Sequence, residues 1–481
     1  MRSGRVTILQ VNDTHGYLEP HPELMWNGRE ADYPVLGGYA VMAGYCRDVR
    51  EECGGAVLLL DNGDTFHGTY PVVQSKGAAI VPLLDALGFD AMTAHWDFAW
   101  GPQHLKDLVS RLSYPLLAIN CFDKETGELT FPPTRVVERD GLRIGIIGIA
   151  ATIVDKTMPP LFSTGVRLTL GNEELPGHIR RLRDEEDVDV VVVLSHLGFP
   201  QDVKLAAEVS GIDVLLSGHT HNRLGKPVWV NRTPIIQSGC HGSFMGRLDL
   251  EVSGGRVEVT HHALVAMDGS IRPDAAMKTM VDDVMAPHRR MLGCRVGATA
   301  AALNRNTMTE TTMDNLLLAA IVDAAGTAIA FSNGWRYGAP VPVGDITEND
   351  LWNIIPGNPP VSTVVLTGRE LLEMMEDNLE RTFATDPYEQ MGGYIKRCAG
   401  ITVRAKLENP RGHRIESVFA GDDMLSPDAG YTVAFVTAQG VPGKYGTDRK
   451  DLDIRAVDAL RDYVMKHGPV TPEISGSITA V

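Results

Sequence analysis

The feature that most constrains the fold is a pattern repeated through the first half of the chain. An apolar run rich in β-branched residues stops at a polar turn that often contains glycine, as in VTILQVNDTHG, AVLLLDNGDTFHG, LRIGIIGIA, VDVVVVLSHLG and IDVLLSGHTHN. Continuous apolar runs of this kind are typical of strands buried on both faces. Helix-like stretches such as GGYAVMAGYCRDVREE separate several of them. The pattern therefore predicts a layered α/β domain.

The character of the sequence changes near residue 270. RPDAAMKTMVDDVMAPHRRMLG predicts a helical connector interrupted at Pro287. The later segments TTMDNLLLAAIVDAAGTAIAFSNGWRYG, GDITENDLWNII, GRELLEMMEDNLERTF and ITVRAKLENPRGHRIESVFAG alternate between helix and strand patterns and predict a second, α+β domain. We therefore expect one domain at residues 1–268, a connector at 269–296 and a second domain at 297–481. A length of 481 residues suits two domains that each bury a core.

Charge and the N-terminal sequence limit the classes of partner. The net charge of −17 argues against a nucleic-acid polymer, because phosphate contacts need clustered Lys and Arg. Small anionic substrates remain compatible, since local groups or metal ions can bind them. MRSGRVTILQVND enters strand-like sequence at once, without an apolar signal core, and no apolar run is long enough to span a bilayer. We expect a cytoplasmic protein with no membrane partner.

Potential metal ligands collect where the predicted strands end. Asp-x-His follows the first strand, Gly-Asp the second, Ser-His a later one and Gly-His-Thr-His the one after that. These residues are Asp13, His15, Asp64, His196, His219 and His221. Any one such histidine is more often structural, but functional groups of an α/β sheet meet at its carboxyl edge. Carboxylate with imidazole favours Mn, Fe, Co or Zn, and two ions about 3.5–4 Å apart can share a carboxylate and polarise a water molecule.

The motifs DTHG, NGD, SHLG and GHTH resemble the metal-binding motifs of the calcineurin-type metallophosphoesterases. The later segment SNGWRYG…GDIT resembles the C-terminal domain of the 5′-nucleotidase family. The resemblance covers nearly the whole chain and implies an α/β layered metallophosphoesterase domain followed by a 5′-nucleotidase-type α+β domain. It also implies two divalent ions, manganese or zinc. One ion would be held by Asp13, His15 and His221, with Asp64 bridging and His196 and His219 on the second.

One motif departs from the family pattern. Where the family reads GNHEFD, this chain reads AHWDFA, so that His95 replaces the Asn, Trp96 the His and Ala99 the Asp. The resemblance implies that His95 completes the second metal site and that Trp96 walls the pocket. It also implies that the His–Asp dyad, which stabilises the transition state or protonates the leaving oxygen in nucleotidases, is lost.

A related branch is similar to this chain at the same motif. The SoxB-type thiosulfohydrolases, manganese enzymes that release sulfate from a cysteine-linked carrier, have a His-Trp-Glu version of it. A thiolate leaving group has a lower pKa than an alkoxide and needs less help from a proton donor. The run DPYEQMGG and the RYG after Trp335 also resemble that branch.

Four residues of the second half correspond to substrate-binding positions of the nucleotidases. Arg336 matches the arginine that grips the anionic group, and Asn333 keeps the Asn-Gly turn. Tyr394 in GGYIKR and Tyr445 in GVPGKYG correspond to two aromatic rings that clamp the base. Base stacking contributes about 1–3 kcal/mol per base. Ordinary packing inside the domain is the alternative interpretation of both tyrosines.

The sequence thus predicts a metal-dependent hydrolase that acts on ester bonds of a small molecule. The first interpretation is a 5′-nucleotidase-like phosphoesterase that releases phosphate from a nucleotide or related ester by attack of metal-bound hydroxide. Asp64, His95 and Arg336 are its predicted catalytic residues. The alternative is a SoxB-like thiosulfohydrolase that cleaves an S-sulfonated thiol to sulfate. A more remote alternative is a non-catalytic binding protein on the same fold.

Overall fold

The computed structural model describes residues 2–481, and the chain forms two compact units. The first unit comprises residues 2–21 and 35–287, and the second comprises residues 22–34 and 288–481. The break at 287/288 falls inside the predicted connector, whereas no sequence pattern indicated that a short N-terminal segment groups with the second unit. The predicted domain limits at 268 and 296 stay a prediction.

Two β-sheets form the centre of the first unit. Their strands, in chain order, are β1 (Gly4–Val11), β2 (Val57–Asp61), β3 (Ala91–Met92), β4 (Thr134–Arg139), β5 (Leu142–Ile149), β6 (Val190–Ser195), β7 (Val214–Ser217), β8 (Val228–Val230), β9 (Thr233–Ile236), β10 (Phe244–Ser253) and β11 (Arg256–Ala266). One sheet has the order β11-β10-β1-β2-β3 and the other the order β8-β9-β7-β6-β5-β4. Strands β1, β2 and β3 run parallel, as do β5, β6, β7 and β9. The functional ends of these strands therefore lie along one edge of each sheet.

The apolar side chains of the first unit form two layers. One cluster joins both sheets and includes Ile8 and Leu60 from one sheet with Val192 and Leu216 from the other. A second cluster packs the other face of the six-stranded sheet against helices. The helices are α1 (Tyr39–Glu52), α2 (Tyr70–Gln74), α3 (Val81–Leu87), α4 (Pro102–Val109), α5 (Leu175–Asp184), α6 (Phe199–Glu208) and α7 (Ala275–Met285). Burial of strands on both faces explains their unbroken apolar sequence, and the predicted layered α/β class is confirmed.

The second unit is α+β, as predicted. Its strands are β12 (Arg295–Thr299), β13 (Ile329–Gly334), β14 (Gly344–Thr347), β15 (Pro360–Thr367), β16 (Tyr394–Ala399), β17 (Ile401–Ala405), β18 (Ile415–Ala420), β19 (Asp423–Met424), β20 (Gly430–Phe435), β21 (Thr447–Arg455) and β22 (Ile478–Ala480). They form a five-stranded sheet of order β16-β13-β20-β15-β21, a four-stranded sheet of order β19-β18-β17-β22 and the pair β12-β14. The segment at residues 22–34 contributes a hairpin of Met25–Asn27 and Glu30–Asp32.

The helices of the second unit are α8 (Arg289–Leu292), α9 (Thr312–Ala325), α10 (Glu348–Ile354), α11 (Gly368–Phe383), α12 (Thr437–Gly440) and α13 (Ala456–His467). Helix α11 begins at a capping box, in which Thr367 and Glu370 satisfy each other's backbone N–H groups. Its apolar stripe, which includes Leu371 and Leu379, lies in a cluster with strands of both larger sheets. Among the described residues, no helix combines the length and the apolar character that crossing a bilayer requires.

Candidate metal centre

The predicted ligands of the first unit all lie in loops that directly follow parallel strands. Asp13 and His15 follow β1, Asp64 follows β2, His95 follows β3, His196 follows β6, and His219 and His221 follow β7. All are buried except His221, which is partly exposed. Burying two carboxylates and five imidazoles is unfavourable unless they pair with one another or bind an ion.

The backbone at this edge is held in an unusual conformation. Asp13, His15, Asp64, His219 and His221 have φ angles of 53°, 47°, 57°, 71° and 57°, in the left-handed region that residues with a Cβ rarely occupy. Such conformations cost about 1–3 kcal/mol each and persist where the surrounding structure enforces them. A close approach supports one of these turns: at Gly68 (φ 153°) an added Cβ would lie 2.0 Å from the carbonyl oxygen of His15.

The side chains converge in two groups that share one carboxylate. Possible ligand atoms of one group lie within 4.8 Å of one another, as do those of the other. The groups are Asp13, His15, Asp64 and His221, and Asp64, His95, His196 and His219. This division matches the one that the family resemblance implied, with Asp64 at the shared position. The arrangement has the form of two adjacent divalent-metal sites.

Asp64 is the electrostatic centre of the cluster. Its carboxylate lies 3.1 Å from His95 Nδ1, 3.3 Å from His196 Nε2 and 3.6 Å from His15 Nε2. Burial acts to raise the pKa of Asp64, but these three histidines outweigh burial and hold the pKa well below its usual value. Burial lowers the pKa of His15 to about 3. Both groups are therefore in the form that a metal ligand needs at neutral pH.

His196 and Asp13 link the two groups. His196 Nε2 lies 3.6 Å from Asp13 Oδ1, and His221 Nε2 lies 3.2 Å from the same oxygen. Burial lowers the pKa of His196, but Asp64 and Asp13 outweigh it and raise the pKa to about 10. A divalent cation has to displace this proton, so the site takes up metal in exchange for a proton.

The orientation of the imidazoles fits a metal ion. His196 Nδ1 lies 2.5 Å from the carbonyl oxygen of Asn62, and His15 Nδ1 lies 3.3 Å from that of His67. Metal-binding histidines typically use one ring nitrogen for such a bond and present the other to the ion. Within the described residues, the buried atom His95 Nε2 has no hydrogen-bond partner, and His196 Nε2 faces the Asp64 and Asp13 carboxylates. Divalent ions would satisfy these atoms, and the donor set therefore fits a dinuclear centre.

Two supporting residues were missed by sequence reasoning. The buried Asn62 side chain donates to the carbonyls of Ser195 (2.8 Å) and Leu216 (2.9 Å), and it accepts a bond from Gln10 Nε2 (2.9 Å). These bonds connect strand ends of both sheets beneath the ligands. The only sequence signal was the polar Asn between an apolar strand and Gly-Asp, which by itself predicts a turn.

The altered motif forms an aromatic wall. Trp96 stacks on His67 with ring centroids 4.7 Å apart and an interplanar angle of 28°, and Phe162 meets Trp96 edge-on at 5.5 Å. Burial lowers the pKa of His67 to about 4, so this ring is neutral at pH 7. Indole nitrogen donates a hydrogen bond but does not titrate, and Ala99 has no polar group. The His–Asp dyad of the resembling nucleotidases therefore has no equivalent at these two positions.

In the second unit, strand pairing brings two of the predicted substrate residues together. Gly334, in β13, is the partner of Tyr394, which begins β16. Arg336 donates from Nη2 to the carbonyl of Gly393 at 2.9 Å, and its guanidinium lies 5.3 Å from the centroid of the Tyr394 ring. Asn333 is half-buried on β13. A half-exposed arginine beside an aromatic ring suits a ligand that is both planar and anionic.

Tyr445, the second tyrosine of the predicted base clamp, lies in the apolar core of the second unit. Its side chain is only 3 % exposed and belongs to the apolar cluster around Phe331 and Leu371. The hydroxyl lies 3.3 Å from Glu373, and the Lys444 amine lies 4.6 Å from the ring centroid. Such packing favours the alternative interpretation of Tyr445, and its role in a base clamp stays a prediction.

Comparisons with known proteins agree with this domain pair. Residues 292–439 match the 5′-nucleotidase C-terminal domain family. The trifunctional nucleotide phosphoesterase YfkN of Bacillus subtilis is 26% identical over 99% of this chain, which spans only 35% of that longer protein. A 5′-nucleotidase of Vibrio parahaemolyticus is 25% identical over 97% of this chain and 90% of its own length.

Two solved structures share the fold over the full length. The sulfate thiohydrolase SoxB of Thermus thermophilus superposes with a TM-score of 0.92 at 23% identity and covers 100% of this chain and 97% of its own. A 5′-nucleotidase precursor from Thermus thermophilus gives 0.87 at 24% identity, with 99% of each chain covered. Residues 292–439 thus match the 5′-nucleotidase C-terminal domain family, and the whole chain shares the two-domain fold of these two solved structures.

Proposed function

We propose that this protein is a dinuclear-metal hydrolase, a 5′-nucleotidase-like phosphoesterase that releases phosphate from a nucleotide or a related small phosphoester. The observation that carries the proposal is Asp64, a buried carboxylate shared by two complete groups of ligand-type side chains. The names of two full-length relatives, a nucleotide phosphoesterase and a 5′-nucleotidase, support the same substrate class.

The donor set suggests which ions bind. Five imidazoles with two carboxylates are too rich in nitrogen for Ca²⁺ or Mg²⁺ and suit Mn²⁺ or Zn²⁺. Bound ions of this kind supply Lewis-acid activation of water and neutralise charge on the phosphoryl oxygens. Asp13, His15 and His221 would hold one ion, His95, His196 and His219 the other, and Asp64 both.

The chain's own residues then determine which leaving groups are accepted. Trp96 and Ala99 offer no titrating group where the resembling nucleotidases have a proton donor and its partner. Trp96 instead excludes water through its contacts with His67 and Phe162. In the second unit, Arg336, Asn333 and Tyr394 are the residues proposed to bind the anionic and planar parts of the substrate. Among phosphoesters, an aryl phosphate should therefore react faster than a nucleoside monophosphate, whose ribose alkoxide is the poorer leaving group.

A second candidate function is hydrolysis of an S-sulfonated thiol to sulfate. The specific observation in its favour is the side chain of Trp96 next to His95, because a thiolate leaves without a proton donor. The full-length fold similarity to a sulfate thiohydrolase is compatible with this alternative. The names of the sequence relatives favour the phosphoester.

One substrate panel tests the proposal. Metal-stripped protein is reloaded with Mn²⁺ and incubated with nucleoside monophosphates, cyclic nucleotides, aryl phosphates and an S-sulfonated thiol, and phosphate and sulfate are measured. We expect phosphate release from nucleotides, with Asp64→Asn as the inactive control. Sulfate release with inert nucleotides would replace the phosphoesterase by the thiosulfohydrolase. Tight binding without turnover across the panel would establish a binding protein.

A further inference from the structure

Asp97 is a buried carboxylate of the altered motif, at the position where the resembling families have Glu, and no role was predicted for it from the sequence. It lies in the short 3₁₀ helix Trp96–Trp100 and its side chain is inaccessible to solvent. Its two oxygens accept four backbone hydrogen bonds. The donors are the N–H groups of Asp64 (3.0 Å), Thr65 (3.0 Å), Phe66 (2.8 Å) and His95 (3.0 Å). A carboxylate bonded in this way is strongly fixed, because hydrogen bonds to a charged acceptor are about twice as strong as neutral ones.

These four donors belong to two different loops. The first three follow β2 and include the shared carboxylate residue Asp64, whereas the fourth follows β3 and is His95. Bonds in the reverse direction close the connection, since Asp64 Oδ1 accepts the Trp96 N–H at 2.7 Å and Asp64 Oδ2 lies 3.2 Å from His95 Nδ1. One carboxylate therefore sets the position of one loop relative to the other.

The two loops need such a support. Asp64 has a left-handed φ of 57°, and His95 has the unusual pair φ −149° and ψ −87°. Without Asp97, several buried N–H groups would lose their acceptor, and each would cost about 1–3 kcal/mol. Either loop could then relax and move its ligand atom away from the other.

We propose that Asp97 is a positioning residue that sets the distance between Asp64 and His95 and thereby the affinity of the second metal site, the one formed by Asp64, His95, His196 and His219. The inference rests on the dinuclear centre of the proposed function. It goes beyond that function because Asp97 contacts neither ion nor substrate and acts only through the backbone. The first site, with Asp13, His15, Asp64 and His221, shares Asp64 but has no ligand on the loop that carries His95, so the loss of Asp97 should affect it less.

The test is Mn²⁺ binding to metal-stripped protein, measured by calorimetry and by the exchange-coupled electron paramagnetic resonance signal of a two-manganese centre. In Asp97→Asn an amide NH₂ replaces one of the two carboxylate oxygens. It cannot accept the backbone N–H bonds that this oxygen accepted. We expect the second Mn²⁺ to bind about 10–100-fold more weakly and the coupled signal to be lost, with the first site weakened less because only Asp64 of its ligands lies on a loop held by Asp97. Asp97→Glu keeps both acceptor oxygens and should restore most of the coupled signal.

Asp61→Asn is the matched control. Asp61 is equally buried at the end of β2, but among the described residues its carboxylate accepts bonds only from Gly63 N–H (2.9 Å) and Thr65 Oγ1 (2.8 Å). The Asp61→Asn variant should have a lower melting temperature than wild type and should still bind two Mn²⁺ ions. If Asp97→Asn binds two coupled Mn²⁺ ions with unchanged affinity, Asp97 is purely structural. If Asp97→Asn does not fold, selective weakening of the second site in Asp97→Glu supports the proposal and unaltered or evenly weakened sites overturn it. Wild-type protein that binds fewer than two ions would overturn the proposed function and this inference together.

Discussion

In the first unit every candidate ligand follows a parallel strand, whereas in the second unit the candidate substrate residues lie on the antiparallel pair β13–β16 and in irregular turns. Parallel pairing aligns strand ends within a sheet, so Asp13 and Asp64, after β1 and β2, arrive at one sheet edge. His196 and His219, after β6 and β7, arrive at the corresponding edge of the other sheet. In the second unit, Tyr445 lies in the connection between α12 and β21 and turns into the apolar core. Sheet topology fixes where a residue at a strand end must be. A residue in an irregular turn is placed by its own packing.

The largest effect is expected from removing the Asp64 carboxylate, which both ligand groups of the first unit share. Asp64→Asn removes the charge that both ligand groups use, so turnover of any hydrolysed ester should fall by at least about 10³-fold in kcat/KM. Elemental analysis should show loss of metal in parallel. Asp48→Asn, an exposed residue on α1, is the control and should retain full activity. Near-normal turnover in Asp64→Asn would show that a shared carboxylate is not needed.

The next effect tests whether the loop after β3 contributes a ligand. His95→Ala leaves the group of Asp13, His15, Asp64 and His221 complete, so calorimetry should find one tight Mn²⁺ site and a second weakened by about 100-fold. His104→Ala on α4 removes a half-buried histidine that bonds to a backbone carbonyl, and it should leave both sites unchanged. Two unweakened sites in His95→Ala would limit the centre to the six ligands of the strand-end motifs.

The third comparison separates two tyrosines of the second unit. Tyr394→Ala should raise KM for nucleotides by about 10-fold, since stacking on a base contributes about 1–3 kcal/mol, and should leave small aryl phosphates nearly unaffected. Tyr445→Ala should instead lower the free energy of unfolding by about 3–5 kcal/mol, the usual cost of emptying an aromatic site in a core. Steady-state kinetics and urea unfolding measure the two effects. If Tyr445→Ala increases KM for nucleotides and leaves the free energy of unfolding unchanged, the base-clamp interpretation of Tyr445 is supported instead.

The smallest effect concerns the side-chain amine of Lys396, which is buried in the second unit. Lys396 is buried, and burial lowers its pKa to about 7, against about 10.4 for an exposed lysine. The folded state therefore binds this proton less tightly than the unfolded chain. The resulting loss of stability is complete below pH 7 and is relieved as the pH rises towards about 10.4.

Lys396→Met removes that penalty. The variant should be more stable than wild type by at least about 1 kcal/mol at pH 6, after the lost bond to the Gln439 carbonyl is counted, and the gain should shrink by pH 10. Urea unfolding at pH 6, 8 and 10 measures the trend. Lys450→Met, an exposed position on β21, should show no such dependence. A stability difference that does not vary with pH would mean that Lys396 is not buried as a charge.

The sequence allowed the fold and the converging ligands to be predicted because both depend on strand pattern. Asp13, His196 and His221 each follow an apolar run, and runs of that type have one arrangement in a layered α/β domain. His95 was placed by its distance from such a run within a known motif. Each of these inferences places a residue at the end of a strand, and the geometry of the sheet then determines where that end lies.

Residues that act through backbone bonds or packing could not be predicted in the same way. Asp97 accepts four N–H bonds, but nothing in the letters WDF distinguishes such an acceptor from an aspartate on a surface turn. Tyr445 in GVPGKYG suits a core and a binding site equally, and its neighbours in space, such as Phe331, are distant in sequence. The grouping of residues 22–34 with the second unit likewise depends on tertiary contacts, which produce no periodic pattern in the sequence.

The spread of the ligands along the chain has a consequence for biosynthesis. Asp13 and His221 are separated by about two hundred residues, and β1 also pairs with β10, which is made later still. At ribosomal speeds of about 5–20 residues per second, roughly 10–40 s pass between the appearance of the first ligand and the last. The ligands made first include two carboxylates, and the imidazoles after β6 and β7 come last. A metal ion bound at this centre would therefore meet its full ligand set only after β7 and its following loop have been synthesised.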